Sequence, residues 1–305
     1  MIKKKSHFKN EEEARKWFVN WKQKLEALND YSYKEMQINT SLGKTQIYGL
    51  NWESDLPPLL IFPGFRTTTL IWDLDGGLQE VAKKFKVYLI ETNGQPNLSD
   101  GNSPSIKTLD YGKWGEEVMN ELKIEKASVA GASFGGLVCM KICITIPDRI
   151  EQAFLFNPGC FRLVSFGWKN MYSNLLPMFK PTEKNIRKFL SNVIFSEPDH
   201  DLQPESKKLL IDYLQYVLKN YKDRTEKPYY MGKQLDQVQT NVHLFLGTDD
   251  ILIPYEKSLK RAKMHLGTNL KSVEILKAGH GIETYRKALN KIGKNKLVNK
   301  NVDKK

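Results

Sequence analysis

Residues able to do chemistry lie at three separated places in the 305-residue chain. They are Ser133 in Gly131-Ala132-Ser133-Phe134-Gly135, the pair Asp249-Asp250 in Gly247-Thr248-Asp249-Asp250-Ile251-Leu252-Ile253-Pro254, and His280 in Ala278-Gly279-His280-Gly281. A serine hydroxyl is a weak nucleophile, so it needs exposure, a base, and donors for the negative charge it creates. Gly-x-Ser-x-Gly between a strand and a helix projects the side chain and points free helix N-terminal amides at it. Gly131 and Gly135 carry no Cβ, which lets the backbones around so tight a turn approach closely. A neutral imidazole can take the serine proton and return it to a leaving group, while a carboxylate fixes the ring's tautomer. Alone, the pentapeptide also fits an ordinary glycine-rich turn, and His280 an ordinary loop histidine.

Position and order favour the chemical reading. Each group follows a segment that reads as a buried strand: Ser133 after 127–130, the Asp pair after 242–246, His280 after 273–276. A parallel sheet gathers its functional groups at the carboxyl ends of its strands. Among the other histidines, His7 is terminal, His200 lies in the inserted stretch 160–232, His243 is inside a strand and His265 falls on a helix. Only His280 occupies a glycine-flanked loop after a late strand.

The elements that must hold these groups follow from hydrophobic periodicity. Residues 11–28 place Trp17, Phe18, Trp21, Leu25 and Leu28 at helical spacing, and 34–39 and 44–52 alternate as strands about Ser41-Leu42-Gly43. Gly43-Lys44-Thr45 looks like the end of a phosphate-binding loop, but Ile38 stands where that loop needs its first glycine. Continuous apolar runs at 59–62, 87–90, 127–130 and 152–156 alternate with helices predicted over 76–85, 108–121 and the stretch ending at Ile146. Strands apolar on both sides, alternating with helices, predict a doubly wound, mostly parallel sheet. Residues 160–232 break the rhythm with helical patterns, including 183–193 capped by Thr182 and a helix from Pro204 to about Tyr221. This stretch is expected to be a helical insertion over the sheet's carboxyl edge. The expected organisation is a packed amphipathic helix in 1–33, an α/β core in 34–159 and 233–290, a helical lid in 160–232, and a basic, flexible tail in 291–305.

Composition narrows the function classes. With 40% hydrophobic and 27% charged residues the chain is globular, and it holds no apolar run long enough to span a membrane. Polar Asn10-Glu11-Glu12-Glu13 stands where a secretory leader needs an apolar core. Of the net charge of +12, Lys3–Lys5 supply three and residues 286–305 a net seven. That lysine-dominated tail has no interleaved aromatics, so a solvated tail is expected, not a specific nucleic-acid site. Cys139 and Cys143 share one helix face and read as buried thiols, which makes a reducing cytoplasm the expected location.

With strand, elbow, helix, and downstream Asp and His agreeing, residues from about 59 to 285 resemble the α/β-hydrolase superfamily, its lid-bearing, esterase-like branch. The resemblance implies Ser133 as nucleophile, His280 as base and Asp250 as its orienting acid, since the acid there appears as Gly-x-x-Asp ahead of an apolar residue and proline. Asp249 is the alternative. It also implies an oxyanion hole from the backbone N–H groups of Phe134 and Phe65, no metal or organic cofactor, and a small-molecule acyl substrate. Pro63-Gly64 replaces the usual His-Gly, and Glu91 replaces the usual Asp ahead of a loop that here lacks its Arg. Trp72 and Phe65 are offered as pocket walls, and Phe161, Trp168, Met171, Tyr172, Leu176, Met178 and Phe179 as an apolar face of the insertion, each equally suited to packing. The expected activity is ester hydrolysis through an acyl-enzyme. Its competitors are C–C or C–N hydrolysis or perhydrolysis on the same triad, and a non-catalytic binding protein of this fold. Oligomeric state is not readable.

Overall fold

A computed structural model describes residues 4–162 and 176–293. Trp168, Met171 and Tyr172, and the chain from residue 294, lie outside the described residues. The centre is an eight-stranded sheet of β1 (Lys34–Thr40), β2 (Gly43–Leu50), β3 (Pro58–Phe62), β4 (Lys86–Ile90), β5 (Ala127–Ala132), β6 (Ile150–Phe156), β7 (Asn241–Gly247) and β8 (Leu270–Leu276). Their spatial order is β8-β7-β6-β5-β3-β4-β2-β1, parallel except at β2, which runs antiparallel to both of its neighbours. The strand order reverses direction around β3 and β5, and the loops beyond their carboxyl ends border the crevice where open α/β sheets bind ligands.

Alternation along each strand divides the core in two. Leu59 and Ile61 of β3 pack with Trp72, Phe154, Phe156 and Phe245 on one face. Leu60 and Phe62 pack with Trp114, Leu137, Phe161 and Leu244 on the other. Covering helices include α1 (Glu11–Asn29), α2 (Asp110–Glu121), α3 (Phe134–Thr145), α4 (Glu183–Phe189), α5 (Pro204–Asn220) and α6 (Tyr255–Leu266). Helix α3 is buried along almost its whole length, so its apolar character runs all round. The side chain of Asn10 caps α1 by accepting the Glu13 N–H at 3.1 Å, and three glutamates in its first turn complement the dipole. Trp17 stacks on Tyr216 of α5 with ring centroids 4.1 Å apart, and Trp21 Nε1 donates to the Leu209 carbonyl at 2.9 Å.

Several local expectations are corrected. The helix expected over 76–85 is a 3-10 stretch, Thr69–Gly76, followed by a single turn, Gln79–Ala82. Asp75 and Gly76 take positive φ there, and buried Asp73 accepts Leu78 N–H, so the chain is pinned into a bend. Helix α4 stops at Phe189 and passes into a π turn over Leu190–Ile194. Two-residue ladders that no periodicity announced join Lys4–Lys5 to Asn102–Ser103 and His7–Phe8 to Tyr221–Lys222. The body continues past the expected start of the tail, because Ile292 is buried and Lys291 pairs with Glu274.

Candidate active site

Strand β5 runs straight into α3 through Ser133, whose backbone sits at φ 48°, ψ −107°. A non-glycine residue held there is strained, and such strain persists only where the surroundings over-determine it. Here they do. The Ser133 N–H donates to Phe156 O at 2.9 Å, and Ser133 O accepts Gly159 N–H at 2.8 Å. A Cβ at Gly131 would fall 2.3 Å from the Gly135 carbonyl, and one at Gly135 would fall 2.3 Å from Phe62 O. The strands and helix therefore meet at a separation that excludes any side chain at either position.

The turn places Ser133 Oγ 3.2 Å from His280 Nε2, and His280 Nδ1 lies 2.8 Å from Asp250 Oδ2. The remaining oxygen of Asp250 accepts the Leu252 and Ile253 N–H groups, both at 2.8 Å, and its side chain is inaccessible to solvent. Burial lowers the proton affinity of His280, but the charge and hydrogen bond of Asp250, joined by the charge of Glu283, outweigh it and leave the pKa raised. Asp249 is engaged elsewhere: its carboxylate accepts from Ser196 Oγ and, at 3.0 Å, from Thr248 Oγ1. The structure thus brings Asp250, His280 and Ser133 into one hydrogen-bonded series and turns Asp249 toward the insertion.

Phe134 opens α3, where a first-turn amide has no partner within the helix. Its ring lies 6.0 Å from that of Phe65, which places the loop after β3 beside the elbow. Two anchors hold that loop. Buried Glu91 accepts Thr68 Oγ1 at 2.5 Å and the Thr69 hydroxyl and N–H at 2.7 and 3.1 Å. Burial nevertheless pushes Glu91 up to about 7. Arg66, at φ 60°, gives its N–H to Gln95 Oε1 at 2.6 Å and its Nε to Asp223 Oδ2 at 2.7 Å. Trp72 and Phe161 are both fully buried, in the two cores on opposite faces of the sheet. Trp72 packs edge-on against Phe156, and the Phe161 carbonyl accepts from Arg261.

Several contributors escaped sequence reasoning. Asn157, buried at the end of β6 with φ 39°, accepts Gly247 N–H at 2.9 Å and donates to Gly279 O at 3.0 Å. It ties the Asp250 strand to the His280 loop, and its place directly after a strand was the available signal. His200 contacts Thr284 Oγ1 through Nε2 at 3.0 Å and accepts Gly279 N–H at 3.4 Å. The π turn accepts His280 N–H at Val193 O and Gly281 N–H at Ile194 O. Glu283 stands beside these groups with one buried oxygen unpartnered. None of the last three carries a sequence signal.

No family model matches the chain. Among curated proteins it is similar to the uncharacterized carboxylesterase nap of Bacillus subtilis, 29% identical over 126 residues, 41% of each chain. It is also similar to carboxylesterase YbfK of the same organism, 24% identical over 159 residues, 52% of each chain. The matches span about half the length of these curated relatives. The crystal structure of carboxylesterase CesB (YbfK) from B. subtilis superposes with a TM-score of 0.74 at 20% identity, covering 92% of this chain and 96% of that one. That of naproxen esterase (carboxylesterase NP) from B. subtilis gives 0.70 at 21%, covering 89% and 93%.

Proposed function

We propose that this chain, which belongs to the α/β-hydrolase superfamily, is a serine hydrolase that cleaves carboxylic esters of small molecules. The observation that carries the reading is the Ser133–His280–Asp250 series at 3.2 and 2.8 Å on a strained strand-to-helix turn. The carboxylesterase names of its relatives support an ester as the bond. Ser133 Oγ attacks the acyl carbon while His280 Nε2 takes its proton, and the carbonyl oxygen becomes an oxyanion facing the Phe134 and Phe65 amides. Collapse breaks the bond to the alkoxy oxygen, which receives the proton from His280 and leaves as an alcohol. Water, deprotonated by His280, then releases the acid and restores the Ser133 hydroxyl. Asp250 keeps Nδ1 protonated and Nε2 free to accept.

A reducing cytoplasm belongs to the same proposal, supported by buried free thiols at Cys139, Cys143 and Cys160. Among the described residues no helix is long and apolar enough to cross a membrane. Turnover of short p-nitrophenyl esters and labelling by a fluorophosphonate test the activity. Wild type should do both, and Ser133→Ala should do neither. Equal behaviour of the two proteins refutes the assignment.

A further inference from the structure

We propose that Glu283 is a second carboxyl group acting on His280, a positioning residue that sets how tightly the imidazole holds its proton. This rests on the acyl-transfer reading of Ser133 and His280. Glu283 lies in the single 3-10 turn Ile282–Thr284, which follows the His280 loop and is closed by Thr284 N–H on Gly281 O at 2.9 Å. Its Oε2 is buried without a hydrogen-bond partner. Its Oε1 lies 3.8 Å from where a Cβ on Gly64 would stand, so the carboxyl spans the space between the histidine loop and the loop after β3.

Among the described residues, these charged and titratable groups around the site have partners of their own. Asp250 is held by His280 and two backbone amides. From the loop after β7, Asp249 is taken by Ser196 and Thr248. On the stretch Thr69–Gly76, Asp73 accepts from Tyr31, Tyr33 and Leu78, and Asp75 accepts Gln203 N–H. Beside the loop after β3, Glu91 accepts from Thr68 and Thr69, and Arg66 pairs with Asp223. From the insertion, the His200 ring is engaged with Thr284 and Gly279. Lys277, ahead of the loop, pairs with Asp199. The turn Leu190–Ile194, which carries the backbone of His280, has no charged side chain. On the turn after Glu283, Lys287 lies over the Tyr285 ring, and the charge of Glu283 bears on His280.

A carboxylate with one oxygen buried and without a donor is costly as an anion, and that cost falls when a cation forms beside it. Burial pushes Glu283 up to about 7, while the charge of His280 pulls it down. Each group's charge therefore favours the ionised form of the other. When His280 receives the proton of Ser133, the negative form of Glu283 stabilises the imidazolium. Asp250 fixes the tautomer, and Glu283 supplies additional field.

The test is a nitrogen-15 NMR titration of His280 in the full chain, wild type and Glu283→Gln, run beside the pH profile of kcat/KM on p-nitrophenyl butyrate. Removing the charge should lower the His280 pKa by about half a unit or more and carry the acidic limb with it. Glu283→Leu is the second neutral variant, and the same shift is expected in whichever of the two folds. A purely structural role would lower Tm or kcat and leave the titration in place, so a His280 pKa unchanged within about 0.2 unit overturns the proposal. NMR reads the histidine without turnover. A shifted titration in a protein that cleaves no ester would keep the coupling and discard the acyl-transfer reading.

Discussion

The backbone N–H of His280 donates to the carbonyl of Val193 at 2.8 Å, so the insertion carries the main chain of the proposed base. This carbonyl lies in the terminal turn Leu190–Ile194, where helix carbonyls have no partner within the helix. Gly279 completes the contact: a Cβ there would stand 2.6 Å from the carbonyl oxygens of both Ile194 and Phe195. Gly279→Ala should displace His280 from Ser133 and reduce kcat/KM about a hundredfold, with a smaller effect on KM. At Gly281 the obstacle is the Ile194 side chain, with Cγ2 at 2.4 Å. Gly281→Ala should therefore be partly rescued by Ile194→Ala, whereas Gly279→Ala should not. Steady-state kinetics on the two double mutants separate the cases, and equal rescue would count against this account.

Asp250 and Asp249 should differ sharply in kinetics. Asp250→Asn leaves the shape of the side chain but can present its amide to Nδ1 and favour the wrong tautomer, so kcat should fall about 10³–10⁴-fold. Asp249→Asn removes only the carboxylate bonded by Ser196 and Thr248. It should lower Tm by a few degrees and leave kcat within about threefold of wild type. Comparable kinetic losses in the two variants would show that the acid has been misassigned.

The pH profile has a defined sign. The proposed base must be neutral to act, and the His280 pKa is raised above its ordinary value because Asp250 and Glu283 outweigh the effect of burial. Activity should therefore rise with pH and reach half its plateau in kcat/KM above about 6.5, the unperturbed histidine value. An acidic limb centred below that value would contradict the raised proton affinity.

Ser133, Asp250 and His280 were legible because each follows a strand whose apolar run is local, and the sheet rule then brings the three loops together. Asn157 follows a strand in the same manner, yet an amide announces no chemistry, and its bridge from Gly247 to Gly279 appears only in three dimensions. The break at 75–77 was written in Asp75-Gly76-Gly77, but the flanking apolar periodicity hid it. Glu283 and Val193 had no signature at all. Val193 matters because the insertion folds back onto the His280 loop, and Glu283 because the turn after that loop buries one of its oxygens without a donor.

His200 supplies a test of that docking. Burial lowers its pKa from 6.5 to about 4, against the opposing charge of Asp201 and a hydrogen bond to the Gly281 backbone. A depressed folded-state pKa means that the unfolded chain takes up the proton first as the pH falls. The contribution of neutral His200 is therefore complete above pH 6.5 and is lost progressively down to about pH 4, where the loss reaches about 3 kcal/mol. Its ring sits between Phe195 and Tyr285 and touches both Gly279 and Thr284, so a charge there loosens the insertion from the His280 loop. His200→Gln stays neutral and keeps a donor and an acceptor. It should be less stable than wild type at pH 7.5 through lost ring packing, but it should lose less stability on going to pH 4.5. Urea unfolding of both proteins at the two pH values measures this as a difference of differences, which cancels the carboxylates common to both. Parallel losses in wild type and variant would mean that His200 does not bear the acid sensitivity of the docked insertion.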